Sequence, residues 1–288
     1  MPRKYPSLKA FRYRNYRIWF SVVFISNIGT WSQRVAQDWL VVADLHKGGS
    51  ELGIVTALQF LPSLLLSAPG GIIADRFNKR KILMATNFGG AMTALVMGIL
   101  VITHHINLFW VCVLALVLGT FSAIDGPSGQ SFNSELVDKK NLPKAVGFNV
   151  TNFHSARIIG PAITGFIIKA FGTGPAFFVN ALSFLFVVAG LALMNSDEIL
   201  RIKAPEAKPK LAEAWHYIRS RPDISLVILN VFFAATFGLN FQISNTLFAT
   251  QVFHKDAGQY GILGSFIAIG AVIAALLATR RGKRTPYE

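Results

Sequence analysis

Residues 70–81 read GGIIADRFNKRK. A long apolar run ends there in two glycines, one acid and a burst of positive charge. Such a segment can be a phosphate-gripping glycine loop, a nucleic-acid patch, or the cytoplasmic end of a membrane helix. The phosphate loop fails at once, because no Gly-Lys-Ser/Thr follows and no strand is expected before it. The rest of the chain separates the other two.

Hydrophobic residues make up 52% of the 288 and charged residues only 15%, with 24 phenylalanines. Soluble domains carry about 25% charged residues, so this chain has more apolar surface than one aqueous core can hide. A net charge of +14 would by itself suit a nucleic-acid binder, but the positions of the charges decide. Eight stretches are long and apolar enough for the roughly 20 residues that a spanning helix needs: 16–43, 51–74, 81–103, 107–131, 143–170, 174–195, 224–252 and 258–279. Of the 28 Lys and Arg, 23 fall on one set of alternating loops and tails. Only Lys47, Lys169 and Lys255 fall on the other, and Arg34 and Arg157 lie within spans. This is the positive-inside pattern. It predicts an all-α, multi-pass protein of a bacterial-type cytoplasmic (inner) membrane, with the lipid bilayer as its solvent, a cytoplasmic N-terminus and no nucleic-acid partner.

The lone Cys112 allows neither an intrachain disulfide nor a cysteine-based metal site. Fifteen mostly polar residues precede a first span too long for a cleavable signal, so that span reads as a signal anchor. No HExxH, GxSxG or Cys/His metal spacing occurs. The expectation is a protein that is not an enzyme and uses no cofactor and no metal.

The polar break at 196–222 divides the chain. Its first part, with Pro205 and Pro209, reads as a linker. Its second part, with Leu211, Trp215 and Ile218 at helical spacing, reads as a short amphipathic helix on the cytoplasmic interface. HKGGSELGI at 46–54 matches HKDAGQYGI at 254–262 at an offset of 208, and the 71–80 pattern has an echo at 275–284. The expected organisation is therefore one complete six-helix transmembrane half over 1–195, a cytoplasmic linker over 196–222, and the first two helices of a second half over 223–288. Four further spans would complete the repeat, so the sequence reads as C-terminally truncated.

Charges inside spans cost about 2.5–3.5 kcal/mol at a helix centre, and so they line cavities or pair. There are four: Arg34, Asp38, Asp125 and Arg157. Arg34 and Asp38 are i,i+4 on span 1, with Asn27 extending their stripe. Two roles are open for them: a central cavity in which Asp38 or Asp125 titrates, or structural ion pairs within the six-helix half. Gln59, Asn149, Asn152, His154 and Asn180 are equally open to substrate contact or to interhelical hydrogen bonding. Gly70 and Gly71 are expected to allow close helix approach, and Asp75 to accept backbone hydrogen bonds. Ala156, Gly160 and Thr164 form a small-residue row on span 5, beside Pro161 as a bend.

Gly71, Asp75, Arg76, Asn78, Lys79 and Arg80 together resemble the loop 2–3 signature G-x-x-x-D-R-x-G-R-R of the major facilitator superfamily. Asn78 replaces the glycine, and Asn is the next-best residue for a left-handed turn. Gly147, Ala156, Gly160, Pro161 and Gly165 resemble the superfamily's antiporter motif. GTWSQRVAQDWLV at 29–41, DGPSGQSFNSELV at 125–137 and ARIIGPAITG at 156–165 are similar to its enterobactin-exporter and macrolide-efflux branch. The resemblance covers essentially the whole chain and about two thirds of a family member. It implies a major-facilitator-type bundle and secondary active efflux of a small organic compound, siderophore or drug-like. Alternating access and protons as the coupling partner are implied with it, and the 71–80 loop would act as a conformational latch. Span 4 lacks the arginine that many proton-coupled relatives carry. The alternative is a non-transporting membrane fragment or scaffold that needs a complementing chain.

Overall fold

The computed structural model describes residues 8–200, 217–234, 236, 241–253, 255–256, 258–260, 262, 266 and 270. All regular structure among them is helical. A 3-10 turn, Leu8–Arg12, leads into α1 (Arg14–Trp39), which runs into a π-helical turn at Leu40–Asp44. Then follow α2 (Gly49–Arg76), α3 (Lys79–Ile102), α4 (Leu108–Leu136), α5 (Leu142–Phe171) and α6 (Gly174–Ala192). After a 3-10 turn at Ser196–Glu198 come α7 (Pro222–Phe233), α8 (Phe241–Leu247) and a second π turn, Phe248–Val252.

The first six predicted spans correspond to α1–α6. Span 7 corresponds to α7, π-helical positions 234 and 236, and α8 with its π turn; positions 235 and 237–240 lie outside the described residues. Of span 8, only scattered helical positions between 258 and 270 are described. Of the amphipathic segment, positions 217–220 are described and helical. The echo at 275–284 lies outside the described residues.

Among the described residues, α2, α3, α4 and α6 are long and apolar enough to cross a membrane. The chain is a multi-pass membrane protein. α1 and α5 match these helices in length but carry Asn15, Asn27, Gln33, Arg34, Gln37 and Asp38 on one, and Lys144, Asn149, Asn152, His154 and Arg157 on the other. Such helices need polar partners in a medium without water, and packing supplies them. α1 lies against α5 and α6, α3 against α4 and α6, and α2 against α4.

Small residues set the closest approaches. A Cβ on Gly160 would stand 2.6 Å from that of Trp31 and 3.1 Å from the Ile28 carbonyl, so α5 rides directly on the α1 backbone. Gly119 of α4 faces the Gln59 carbonyl of α2, and Gly29 of α1 faces Ser183 and Asn180 of α6, in each case with no room for a methyl group. A Cβ on Gly70 would stand 2.8 Å from the Ala123 carbonyl, but one on Gly71 would meet open space, so only the first of the pair serves close packing. The short α5–α6 turn requires Gly172, at φ +81°.

The end that carries the basic loops is tied together by polar contacts. Lys79 Nζ meets Glu135 Oε1 at 2.8 Å with both side chains 9% exposed, joining α3 to the end of α4. Arg80 donates to Ser196 Oγ at 2.7 Å and to the Ala192 carbonyl at 3.1 Å, joining α3 to α6. Asn15 bonds both ways with the Asn195 backbone, at 2.8 and 3.1 Å. Asn78 does not adopt the left-handed turn expected of it. It is extended (φ −65°, ψ 109°) and caps α3, its side chain accepting from the Lys81 N–H. An N-cap oxygen satisfies an orphan helix donor, which glycine cannot do.

The opposite end repeats itself. Each π turn closes with the same two bonds at an offset of 208: Leu45 N–H to Leu40 O and Phe253 N–H to Phe248 O, both 2.8 Å, then Lys47 N–H to Val41 O at 3.0 Å and Lys255 N–H to Ala249 O at 2.7 Å.

Removing one partner of a buried ion pair strands the other charge, at a cost of about 3 kcal/mol or more, whereas an apolar replacement of both is often neutral. Glu135→Gln is therefore expected to lower the thermal midpoint of the purified chain in detergent. Lys79→Met combined with Glu135→Leu is expected to recover most of that loss, read by circular dichroism melting.

Candidate functional site

Arg34, on the last turns of α1, is half-buried between two aromatic rings. Its guanidinium carbon lies 4.8 Å from the Trp31 ring centre and 5.1 Å from that of Phe60 on α2. Arg157 of α5 approaches the same Trp31 ring at 5.3 Å. Two cations from different helices thus share one indole ring, the ring type that attracts cations best. The Arg34 Nε is buried and has no hydrogen-bond partner. Asp38 is 5% exposed and lies one turn further on. It is near enough to act on the Arg34 charge, although the two make no direct ion pair. Arg157 is exposed and Phe60 is 47% exposed, so the group opens outward on the α1, α2 and α5 face. α1 and α2 both touch α8.

Below it, towards the basic end, α1 is closed by amide pairs. Asn27 donates to Asn152 Oδ1 at 3.0 Å, and Asn152 donates to the Phe20 carbonyl at 3.1 Å. Asn180 donates to Gln33 Oε1 at 2.6 Å. On the other side of Arg34, Gln37 donates to Gln59 Oε1 at 3.3 Å. Asn152 and Asn180, at 2% and 0% exposure, are therefore bonded within the bundle. His154 is exposed beside Phe153. Asn149 donates to Asn133 Oδ1 at 2.7 Å.

Asp125 lies elsewhere. It accepts from Thr86 Oγ1 at 2.6 Å and Asn87 Nδ2 at 2.7 Å, so α3 holds it within the α3–α4 contact. At the end of α2, Asp75 and Arg76 are exposed, and Asp75 has no hydrogen bond or ion pair among the described residues. Lys79 and Arg80 are the members of that loop that bind other helices. The antiporter-like set also divides. Ala156, Gly160 and Gly165 are buried and Pro161 is half-buried, whereas Gly147 is exposed with open space around it.

Sequence reasoning did not find the aromatic walls. Trp31 stands i−3 to Arg34, a spacing that puts them on one helix face and could have flagged the pair. Phe60 and Glu135 come from other helices, and no local pattern points to them.

Beyond Asp38 the opposite end is shut by contacts with the 241–260 segment. Trp39 stacks on Tyr260 with ring centres 5.9 Å apart and planes at 28°. Tyr260 packs with Val35 and Ala249 and bonds Thr246 at 2.9 Å. Lys169 meets Asp256 at 3.2 Å. The Gln259 N–H, and then Lys169, hold the Asp256 carboxyl below its ordinary pKa. A depressed folded-state pKa means that this contact is present at neutral pH and is lost as pH falls below the usual carboxylate range.

Comparison with known proteins places this geometry. The profile of a family described as transmembrane secretion effector matches residues 6–285. The staphyloferrin A transporter of Staphylococcus aureus is 25% identical over 263 residues, covering 91% of this chain and 66% of its own length. Multidrug resistance protein 1 of Bacillus subtilis is 26% identical over 241 residues, covering 82% and 58%. Among solved structures, a bacterial homologue of the human lysosomal transporter Spinster superposes with a TM-score of 0.64 at 18% identity, over 95% of this chain and 64% of that one. The chain thus spans 58–66% of the length of these two curated relatives.

Two glycines of the α5 motif, Gly160 and Gly147, are expected to respond oppositely to substitution. Gly160→Val overpacks α5 onto α1 and is expected to destabilise by about 1–3 kcal/mol. Gly147→Ala is expected to be neutral, or stabilising by up to about 1 kcal/mol, through helix propensity alone. Thermal melts of both variants in detergent check the contrast.

Proposed function

The chain belongs to the transmembrane secretion effector family of major facilitator transporters, and from that premise we propose that it works in secondary active efflux of a small organic compound, siderophore or drug-like. The observation that carries the reading is the cationic, aromatic-walled group of Arg34, Trp31, Phe60 and Arg157. It opens outward through the exposed Arg157 and Phe60. An intramembrane charge that lines an open face marks a substrate or ion path by default. The named relatives, a siderophore transporter and a multidrug resistance protein, support the same class.

On this reading the protein sits in a bacterial-type cytoplasmic membrane with its N-terminus and basic loops inside. Residues 1–195 form the first six-helix half, 196–222 the cytoplasmic linker and 223–288 the start of the second half. Substrate binds between the halves, which rock by alternating access. Trp39, Tyr260, Lys169 and Asp256 close the outer end while the inner end is open. Protons are the coupling ion, with Asp38 the acid that titrates, because it lies between the cationic site and the outer closure. Asp125, fully engaged by Thr86 and Asn87, is the second candidate. Gly71, Asp75, Arg76, Asn78, Lys79 and Arg80 form the latch. In it Lys79 and Arg80 anchor the loop to α4 and α6, and Asp75 is presented outward.

Deleting the gene and restoring it, with secretion and drug-resistance profiles compared, is the direct test. Restoration of export or resistance supports efflux, and unchanged profiles remove it. In the restored strain, Asp38→Asn is expected to reduce efflux at least tenfold. Near-normal efflux with intact proton dependence would take Asp38 out of the mechanism.

A further inference from the structure

We infer that the compound bound at this site is an anion, carrying a carboxylate or comparable oxyanion on a flat apolar body, and that it seats between Arg34 and Arg157 against the Trp31 ring. The inference rests on the exporter reading and names the substrate class for that site.

Three observations lead there. First, the buried Arg34 Nε has no hydrogen-bond partner. A guanidinium carries five N–H donors and no acceptor, and an unsatisfied donor on a buried charged group is costly. Gln33 Nε2 and Gln37 Oε1 on the same helix also lack partners, but Arg34 alone of the three carries a charge, and a bound oxyanion would supply the acceptor it lacks. Second, Arg34 and Arg157 converge on one ring, at 4.8 and 5.3 Å. The ring attracts both guanidinium groups, but it cannot neutralise two cations, and Asp38 supplies a single carboxylate nearby. The group is left net positive in a region where positive charge is disfavoured. Third, both cations are arginines. Their planar fork matches a carboxylate with two parallel hydrogen bonds, and the same plane stacks on aromatic rings. Trp31 and Phe60 hold the Arg34 plane from two helices, which prepares its free edge for such a partner. The exposed Arg157 and Phe60 mark the side of entry. A lipophilic cation, the other common cargo of drug exporters, meets like charge here.

The test uses the purified chain in lipid nanodiscs, titrated calorimetrically with naphthalene-2-carboxylate, its uncharged methyl ester and tetraphenylphosphonium. The carboxylate is expected to bind at least tenfold more tightly than the ester and the cation. Arg157→Gln, at an exposed position and with an unchanged thermal midpoint, is expected to lose at least tenfold in carboxylate affinity. Arg34→Lys, which keeps the charge and loses the fork, is expected to fall between wild type and Arg34→Gln. Equal binding of the ester, tighter binding of the cation, no measurable carboxylate binding, or full affinity in Arg157→Gln overturns the inference. Export of neutral or cationic compounds by the restored strain leaves the exporter reading standing and removes the anion assignment. Charge-selective binding without any export does the reverse.

Discussion

The bundle depends on making α1 tolerable inside a membrane. This helix carries a polar group on nearly every turn, and the hydrocarbon core offers none of them a partner. Each must be met by another helix, and the pairings are specific. Trp19 donates to Asn133 of α4 at 3.0 Å, and Tyr16 to the Ala145 carbonyl of α5 at 3.1 Å. Ser32 donates to the Gly160 carbonyl at 3.2 Å. With the pairs to Asn152, Asn180 and Gln59, these bonds tie α2, α4, α5 and α6 to one central helix. Side-chain amides and hydroxyls have short reach, so the backbones must come close. That is why Gly160 and Gly29 stand at the two flanks of α1. The packing is a consequence of the polarity.

Seen this way, the Arg34 group is the remainder. Gln33 and Gln37 each have one bond within the bundle and leave one neutral amide atom unpartnered, whereas the unpartnered Arg34 Nε belongs to a charged group. A helix that has solved its polar problem elsewhere and leaves one guanidinium between two rings has been shaped at that point by something other than stability.

Much of this was legible in the sequence, for physical reasons. Alternating charge is a one-dimensional signal, so the ends of the first six helices could be read from where Lys and Arg interrupt the apolar runs. The charges within spans were equally plain, because Arg34, Asp38, Asp125 and Arg157 stand out against apolar neighbours. Partners were not legible, because they depend on how one helix is rotated against another. Asn15 and Asn195 bond across 180 positions, and nothing near either residue announces the other. Asn78 shows a subtler limit. Read against a pattern it is a substitute for glycine; read as chemistry it is an N-cap ahead of a helix that opens Lys-Arg-Lys, and the second reading is the one the backbone adopts.

The two halves proposed for the chain share a local feature of backbone at an offset of 208. LVVAD at 40–44 and FATQV at 248–252 share no residue in register, yet both form π turns with matching bonds, so the likeness there is one of backbone. Under the same offset Trp39 maps to Leu247 and Tyr260 to Leu52. Trp39 stacks on Tyr260, while Leu247 packs on the cluster that contains Leu52. The contacts exchange, as they do around a two-fold axis between parallel repeats. One strand of α1 therefore serves two ends of the proposed mechanism. Trp31 and Arg34 form the site and Trp39 the closure, separated by five residues or about 7.5 Å of helix rise. Asp38 sits between them as a charge neighbour of both Arg34 and Tyr260. On the exporter reading, an anion that neutralises Arg34 changes what Asp38 must balance, one turn from the ring that holds the outer end shut. Binding and closure then need no long pathway between them, because they are adjacent turns of a single rigid helix.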